Sequence, residues 1–410
     1  MDDLSIHYKN LDENALKNFI NLNSNLNLEI KNVIKNLRLF NIINDEKIVS
    51  ETINKVNEFS LNKKNFIVFG TGGSNLGARA LINILHNKEK NYIEFYDNID
   101  PVSFKNSLNK FNLEEIGFII ISKSGSTLET ISQFTCLIEI FEQKNKLKIF
   151  YQNCLIITEN KASPIRNIAL QNKCKILDHD PNIGGRYSIF SNVGMVPALL
   201  AGIDVKKIHE GVNVFLNNIN TDLFNEYLMF GTLISSKKFF DKNINVLMTY
   251  SDSLHYFGKW YLQLWSESIG KNGLGFTPIH ATGTTDQHSQ LQLFLDGPKD
   301  KFFTFVTTKH KGKGLTINSN ILENNNLQLL AGKFMGDLME AEQKATIDTF
   351  INNKFAIREI KLPEINEYYI GQLMALCIFE TITACYCLSV NPFDQPAVEE
   401  GKILTKKYLK

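Results

Sequence analysis

The sequence predicts an α/β protein of two doubly wound parallel-sheet halves, each a three-layer α/β/α arrangement, with an N-terminal helical arm and a C-terminal helix. Three observations predict it. Continuous apolar runs of strand length recur from Asn65 onward, stretches of helix length lie between them, and glycine- or serine-rich loops follow two of the runs. Near-continuous hydrophobic strands alternating with helices mean a parallel sheet covered on both faces. Ligands of such sheets bind outside the carboxyl ends of the strands.

Taken in order, residues 1–60 read as polar helices rich in Asn and Lys, an arm packed on the next domain. The first half, 61–204, carries the strand candidates NFIVFG, IEFYDN, GFIIISKS, CLIITE and CKILDH, with ARALINILH and ETISQFTCLIEIF as helices between them. Residues 205–240 read as a helical connection. The second half, 241–395, offers INVLMTYS, FTPIHAT and FFTFVTT as strands. Its most apolar stretch, Leu373 to Val390, is interrupted by Glu380 and two threonines, which favours a buried helix over a membrane span. Pro396 suits the start of a final basic helix within 396–410.

Composition narrows the function. The 44 basic residues nearly cancel the 43 acidic ones, so no overall field points to nucleic acid or an anionic membrane, and an anionic ligand must be caught locally. The start, MDDLSIHYKN, has neither the apolar core of a signal peptide nor an Arg-rich amphipathic pattern, and a cytoplasmic location is expected. Six cysteines without CxxC spacing suit reduced core thiols, and eight scattered histidines form no HxH, HxxxH or HExxH group. Neither a metal nor a cofactor is expected.

The stretch QLWSESIGKNGLGFTPIHATGTTDQHSQ, Gln263 to Gln290, sets one acid and one histidine on either side of a strand. The preceding SDSLHYFGKWYLQLWSESIG is helical in pattern, capped by Ser251 to Ser253 and ended by Gly270. Glu267 then falls in the last turn, where backbone carbonyls disfavour an anion by about 0.3–1 kcal/mol. Such local conflicts concentrate at functional sites. After the strand, Thr284, Thr285 or Asp286 is expected to cap a helix with His288 in its first turn, where the dipole favours a neutral imidazole. The plain alternatives are an exposed Glu267–Lys271 pair, worth about 0.2–0.5 kcal/mol, and a capping or packing His288.

Two loops can cradle an anion. In FGTGGSNLGARAL, Gly70, Gly72 and Gly73 allow close backbone approach and Ser74 offers a hydroxyl, although the loop has neither dinucleotide nor P-loop spacing and taken alone is better explained by a tight structural turn. In ISKSGSTLETI, Ser122, Ser124, Ser126 and Thr127 crowd four hydroxyls and Lys123 at a helix mouth. An ordinary capped loop with Glu129 nearby needs fewer. GGRYSIFSNVG places Arg186 in a glycine turn, either as a structural arginine or as a guanidinium over developing negative charge.

In this order, TGGSNLG, SKSGSTLET, GGRYSIFSNVG, QLWSESIGK, GTTDQHSQLQ and NPFDQPAVEEGK resemble the glucose-6-phosphate isomerase family of the shorter bacterial kind, from Phe69 to Lys402. The resemblance implies a pair of sugar-isomerase (SIS) domains and a homodimer whose sites take a histidine, here His288, from the neighbouring subunit. It implies isomerisation of glucose 6-phosphate and fructose 6-phosphate through a cis-enediolate, in glycolysis and gluconeogenesis. Glu267 would be the base between C1 and C2, His288 and Lys402 would assist ring opening, and Arg186 would steady the enediolate. Gly73, Ser74, the Ser122 to Thr127 loop with Lys123, and Gln263 would hold the substrate, chiefly its phosphate. This chain has serine for threonine at Ser124 and Ser126, which keeps the hydroxyls, and also departs at Thr71, Trp265 and Ser266. Lys402 also reads plainly as one lysine among several on a basic helix.

Two rivals stand beside this reading. Another SIS-type isomerase, acting on a mannose phosphate or an amino-sugar phosphate, differs in the pocket around Gln263 and His288. A sugar-phosphate sensor usually carries a DNA-binding segment, and the arm has no helix-turn-helix signal or basic patch.

Overall fold

The computed structural model describes residues 4–85, 90–236, 241–319, 322 and 327–410. Its strands in chain order are β1 (Ser5–Lys9), β2 (Asn65–Phe69), β3 (Tyr92–Tyr96), β4 (Ile116–Ile121), β5 (Cys154–Thr158), β6 (Lys175–Asp178), β7 (Ile244–Thr249), β8 (Thr277–Thr282), β9 (Lys301–Thr308) and β10 (Ile357–Leu362). They form two five-stranded sheets.

The first sheet runs β3-β2-β4-β5-β6, all parallel. Its inner strands are buried on both faces, as the unbroken runs FIVF, IGFIII and CLIIT require. The chain leaves β2 for β3 on one side and returns to β4 on the other. The crevice between the loops after β2 and β4 is therefore the switch point of the sheet.

The second sheet runs β1-β10-β9-β7-β8, and its four parallel strands repeat the order of the first, starting from β7. Two of its strands depart from the expectation. The arm, expected to be helical throughout, begins with β1, which adds antiparallel to β10 with Tyr8 as its buried residue. Strand β10, IREIKL, mixes three apolar with three charged residues, and Arg358 within it is fully buried. Its guanidinium donates to Glu380 and to Thr304 Oγ1 (3.3 Å) and lies 3.5 Å from the centre of the Phe230 ring.

The rest of the arm is helical, at Glu13–Leu22, Ser24–Asn36, Arg38–Asn41 and Glu46–Ser60. Helix Glu13–Leu22 packs on Leu223–Ser235 of the connection and helix Glu46–Ser60 on Asn192–Leu200 of the first half, while β1 joins the second half through β10. The connection holds helices Val205–Asn218 and Leu223–Ser235, and its last residues, 237–240, lie outside the described residues. Both helices pack on Glu367–Cys387. That helix is long and apolar enough to cross a membrane, yet 89% of its most apolar window is buried inside the protein. It is a core helix, as Glu380 suggested.

After β9, the loop amides are already taken. His310 N and Lys311 N donate to Glu340 Oε2 (2.9 and 2.8 Å), and Gly312 N donates to Asp337 Oδ1 (2.9 Å), both acids lying on helix Met335–Asn352.

Candidate active site

Helix His255–Ile269 carries the central acid. It is amphipathic, with Phe257, Tyr261, Leu264 and Trp265 buried, and Gly270 ends it. Ser251 and Ser253 bond each other rather than cap it, and a short 3-10 turn, Asp252–Leu254, leads in. Glu267 sits in the last turn as expected, half-buried. Each carboxylate oxygen has a partner: Gln263 Nε2 donates to Oε1 (2.9 Å) and Arg186 Nη1 donates to Oε2 (3.2 Å).

Arg186 belongs to the 3-10 turn Gly185–Phe190 of the first half and is 3% exposed. Its Nε donates to Ser268 Oγ (2.8 Å), Nη1 also to Gln395 Oε1 (2.8 Å), and Nη2 to the carbonyls of Pro392 (2.5 Å) and Asp394 (3.0 Å). The buried phenol of Tyr187, pushed up to about 12 by desolvation, shares Ser268 and the Pro392 carbonyl. Arg186 thus joins three segments, as a structural arginine does, and also faces the acid.

The glycine loop touches this group directly. A Cβ on Gly73 would fall 2.1 Å from the carbonyl carbon of Gly185 and 2.5 Å from Arg186 N, and one on Gly72, whose φ is +54°, would meet Gln263 Nε2 at 2.8 Å. Only glycine permits that approach. Gly73, Ser74, Arg186, Gln263 and Glu267 thus form one cluster at the carboxyl end of β2.

The serine loop opens beside it, after β4. Ser122 Oγ and Thr127 Oγ1 are 2.8 Å apart, and Ser124 Oγ accepts from Ser126 N (3.2 Å) and Ser126 Oγ (3.0 Å). Thr127 stands at the N-cap of helix Leu128–Gln143 without a side-chain cap bond, so the plain capping role is not what its hydroxyl does. Gly125 has φ +62°, and a Cβ there would strike Ser163 Oγ at 2.0 Å, so the loop curls against the next one. Ser124 and Ser126 remain exposed. Lys123 points away: its Nζ donates to the carbonyls of Pro181 (2.8 Å) and Ile183 (3.0 Å) and lies 3.7 Å from Glu159.

Neither His288 nor Lys402 makes a side-chain hydrogen bond or ion pair to the cluster among the described residues. The expected helix start at His288 does not form. Asp286 Oδ2 accepts from Thr282 N (2.6 Å), folding Thr285–Gln287 into a 3-10 turn, and His288 follows it, exposed, before helix Leu291–Asp296. The dipole argument for its charge state therefore lapses. Lys402 is exposed on helix Glu399–Tyr408 and donates to Glu399 Oε1 (2.6 Å).

Sequence reasoning passed over Ser268 and Gln395 and read Lys271 only as a surface partner of Glu267. Lys271 does not pair with the Glu267 side chain: its Nζ donates to the carbonyls of Glu267 (3.2 Å), Ser268 (2.6 Å) and Asn391 (2.6 Å). The signal was present in the motifs, since Ser268 and Lys271 adjoin Glu267 and Gln395 lies inside NPFDQP.

Residues 24–410 match the family described as phosphoglucose isomerase. The glucose-6-phosphate isomerase of Methanocaldococcus jannaschii is 34% identical over 97% of this chain and 98% of its own length. A crystal structure of a hypothetical protein from Thermus thermophilus is 26% identical, covering 99% of this chain and 100% of that one, with a TM-score of 0.89. A likeness of fold alone extends to the tagatose-6-phosphate ketose/aldose isomerase of Escherichia coli, 14% identical over 90% of this chain and 95% of that one, with a TM-score of 0.54. The paired sheets share their overall fold with that isomerase. With the two loops, the paired sheets and nearly its whole length matched, the chain belongs to the phosphoglucose isomerase family.

Proposed function

We propose that Glu267 is the base of the aldose–ketose isomerisation of glucose 6-phosphate and fructose 6-phosphate, shuttling one proton between C2 and C1 through a cis-enediolate. The activity itself, that of glucose-6-phosphate isomerase in glycolysis and gluconeogenesis, comes with the family. The observation that carries the assignment is the carboxylate held between Arg186 and Gln263, against the glycine loop at the switch point. A base must be fixed within reach of the carbon it serves, and positioned general-base catalysis gives about 10²–10⁴-fold.

In this reading the phosphate lies at the switch point, on Gly73, Ser74 and the exposed hydroxyls of Ser124 and Ser126, with Ser122 and Thr127 shaping the loop. Gln263 orients both base and sugar. Arg186, already oriented by Ser268 and the Pro392 and Asp394 carbonyls, stabilises the enediolate charge without reorganising. Lys123 supports the loop from behind.

His288 and Lys402 assist ring opening in a homodimer, His288 being given across the interface. The exposure of His288 supports this, as does the uncovered helix at Lys402, with Ile403 67% and Tyr408 77% exposed. A sugar-phosphate substrate supports a cytoplasmic location for the enzyme.

The test is a coupled assay, fructose 6-phosphate in and glucose 6-phosphate out. Glu267→Gln should lose about 10²–10⁴-fold in kcat while inorganic phosphate still binds. Near-normal turnover would remove Glu267 as the base. Mixing inactive Glu267→Gln and His288→Ala chains should restore part of the activity, because hybrid dimers assemble one intact site. No recovery would place His288 in its own chain's site or outside the chemistry.

A further inference from the structure

The last turn of a helix leaves carbonyls without intrahelical partners. In helix His255–Ile269 the Ser266 and Ile269 carbonyls are taken by the amides of Gly270 (3.2 Å) and Lys271 (2.9 Å). Those of Glu267 and Ser268 are taken by one ammonium, Lys271 Nζ, whose side chain is 9% exposed. The same ammonium bonds the Asn391 carbonyl and lies 3.3 Å from Asp394 Oδ1. Asn391 opens the segment whose Pro392 carbonyl, Asp394 carbonyl and Gln395 side chain bind Arg186.

We propose that Lys271 is a positioning residue for the isomerisation, clamping the peptide that carries Glu267 and the Asn391–Gln395 segment in one fixed relation. The inference rests on Glu267 being the base. Two buried cations share the work. Arg186 holds the segment from the side of the first sheet, and Lys271 holds it from the end of the acid-bearing helix. Lys271 also counters the partial negative charge of the helix terminus where the Glu267 carboxylate stands, a charge that would otherwise oppose the anion. It touches no substrate, and its effect is on the aim of the carboxylate, to which proton transfer is sensitive at the ångström scale.

Lys271→Met should lower kcat about 30-fold or more while KM for fructose 6-phosphate and the affinity for inorganic phosphate change less than about threefold. Lys271→Arg, which keeps charge and donors, should recover most of kcat. Where the methionine variant fails to fold, Lys271→Gln, which donates to carbonyls without charge, gives the reading: kcat falls and KM holds. Wild-type kcat in the Met or Gln variant, or KM rising in step with falling kcat, would overturn the proposal. So would an arginine variant that regains the melting temperature but not kcat. The base assignment is judged separately by Glu267→Gln, whose normal turnover would sink that reading whatever Lys271 does.

Discussion

The guanidinium of Arg186 stands 3.2 Å from the carboxylate of Glu267, and these two residues come from different halves of the chain. Neither oxygen of the acid is left to rotate, since Gln263 takes the other. The arginine is fixed in turn by Ser268, Gln395 and two carbonyls of the C-terminal segment. The candidate active site is therefore also the joint between the halves, so changes there should affect stability and turnover together.

Arg186→Lys tests that joint. An ammonium cannot reproduce a planar fork with five partners, so buried carbonyls of Pro392 and Asp394 lose a donor. The variant should be less stable by about 1–3 kcal/mol in chemical denaturation and lose at least about tenfold in kcat. Loss of stability with unchanged kcat would make the arginine structural only.

Replacing Ser124 and Thr127 together by alanine should raise KM for fructose 6-phosphate about tenfold or more while kcat falls less than about threefold, because Ser124 is assigned to the non-reacting phosphate and Thr127 to the shape of the loop that holds it. Ser124→Thr should keep KM near wild type, since the hydroxyl is retained. Equal losses in kcat and in KM would mean that the loop acts in the transition state.

Arg358 and Glu380 form a fully buried ion pair between β10 and helix Glu367–Cys387. Arg358→Met alone should destabilise the protein by about 3–5 kcal/mol, because it strands a buried carboxylate. Adding Glu380→Leu should recover much of that loss. A double variant no better than the single one would show that the pair's partners, not its charges, set the cost.

Burial pushes His209 down to about 4, below the ordinary imidazole value of 6.5. His280 is pushed down to about 4 as well, by burial and then by His255 and Lys259. Between those values the unfolded chain takes up protons that the folded chain refuses. The stability these two histidines contribute is therefore full above about pH 6.5 and is lost as the pH falls towards 4. Melting temperatures across that range should show the decline, and His209→Leu should shallow it. An unchanged slope would clear His209 of any part in it.

The sequence was most legible where burial on both faces leaves an unbroken apolar run, as in β4 and β5. It was least legible where charge enters the core. Strand β10 hid because Arg358 reads as polar until its partner Glu380, 22 residues away, comes beside it. β1 hid because Tyr8 is its only buried side chain. Around the acid, the glycine and serine loops were readable from residue type. The roles of Ser268, Lys271 and Gln395 depend on contacts made across up to 209 residues of chain, which no local pattern carries. His288 was misplaced because Asp286 spends its carboxylate on the Thr282 amide instead of starting a helix.

The second sheet repeats the strand order of the first, yet its β9 loop is furnished with anions of its own, Glu340 and Asp337. A phosphate arriving there would have to evict two tethered competitors at effectively unlimited local concentration. The repeated strand order thus does not carry a repeat of the proposed phosphate receptor, and titration should find one phosphate per polypeptide rather than two.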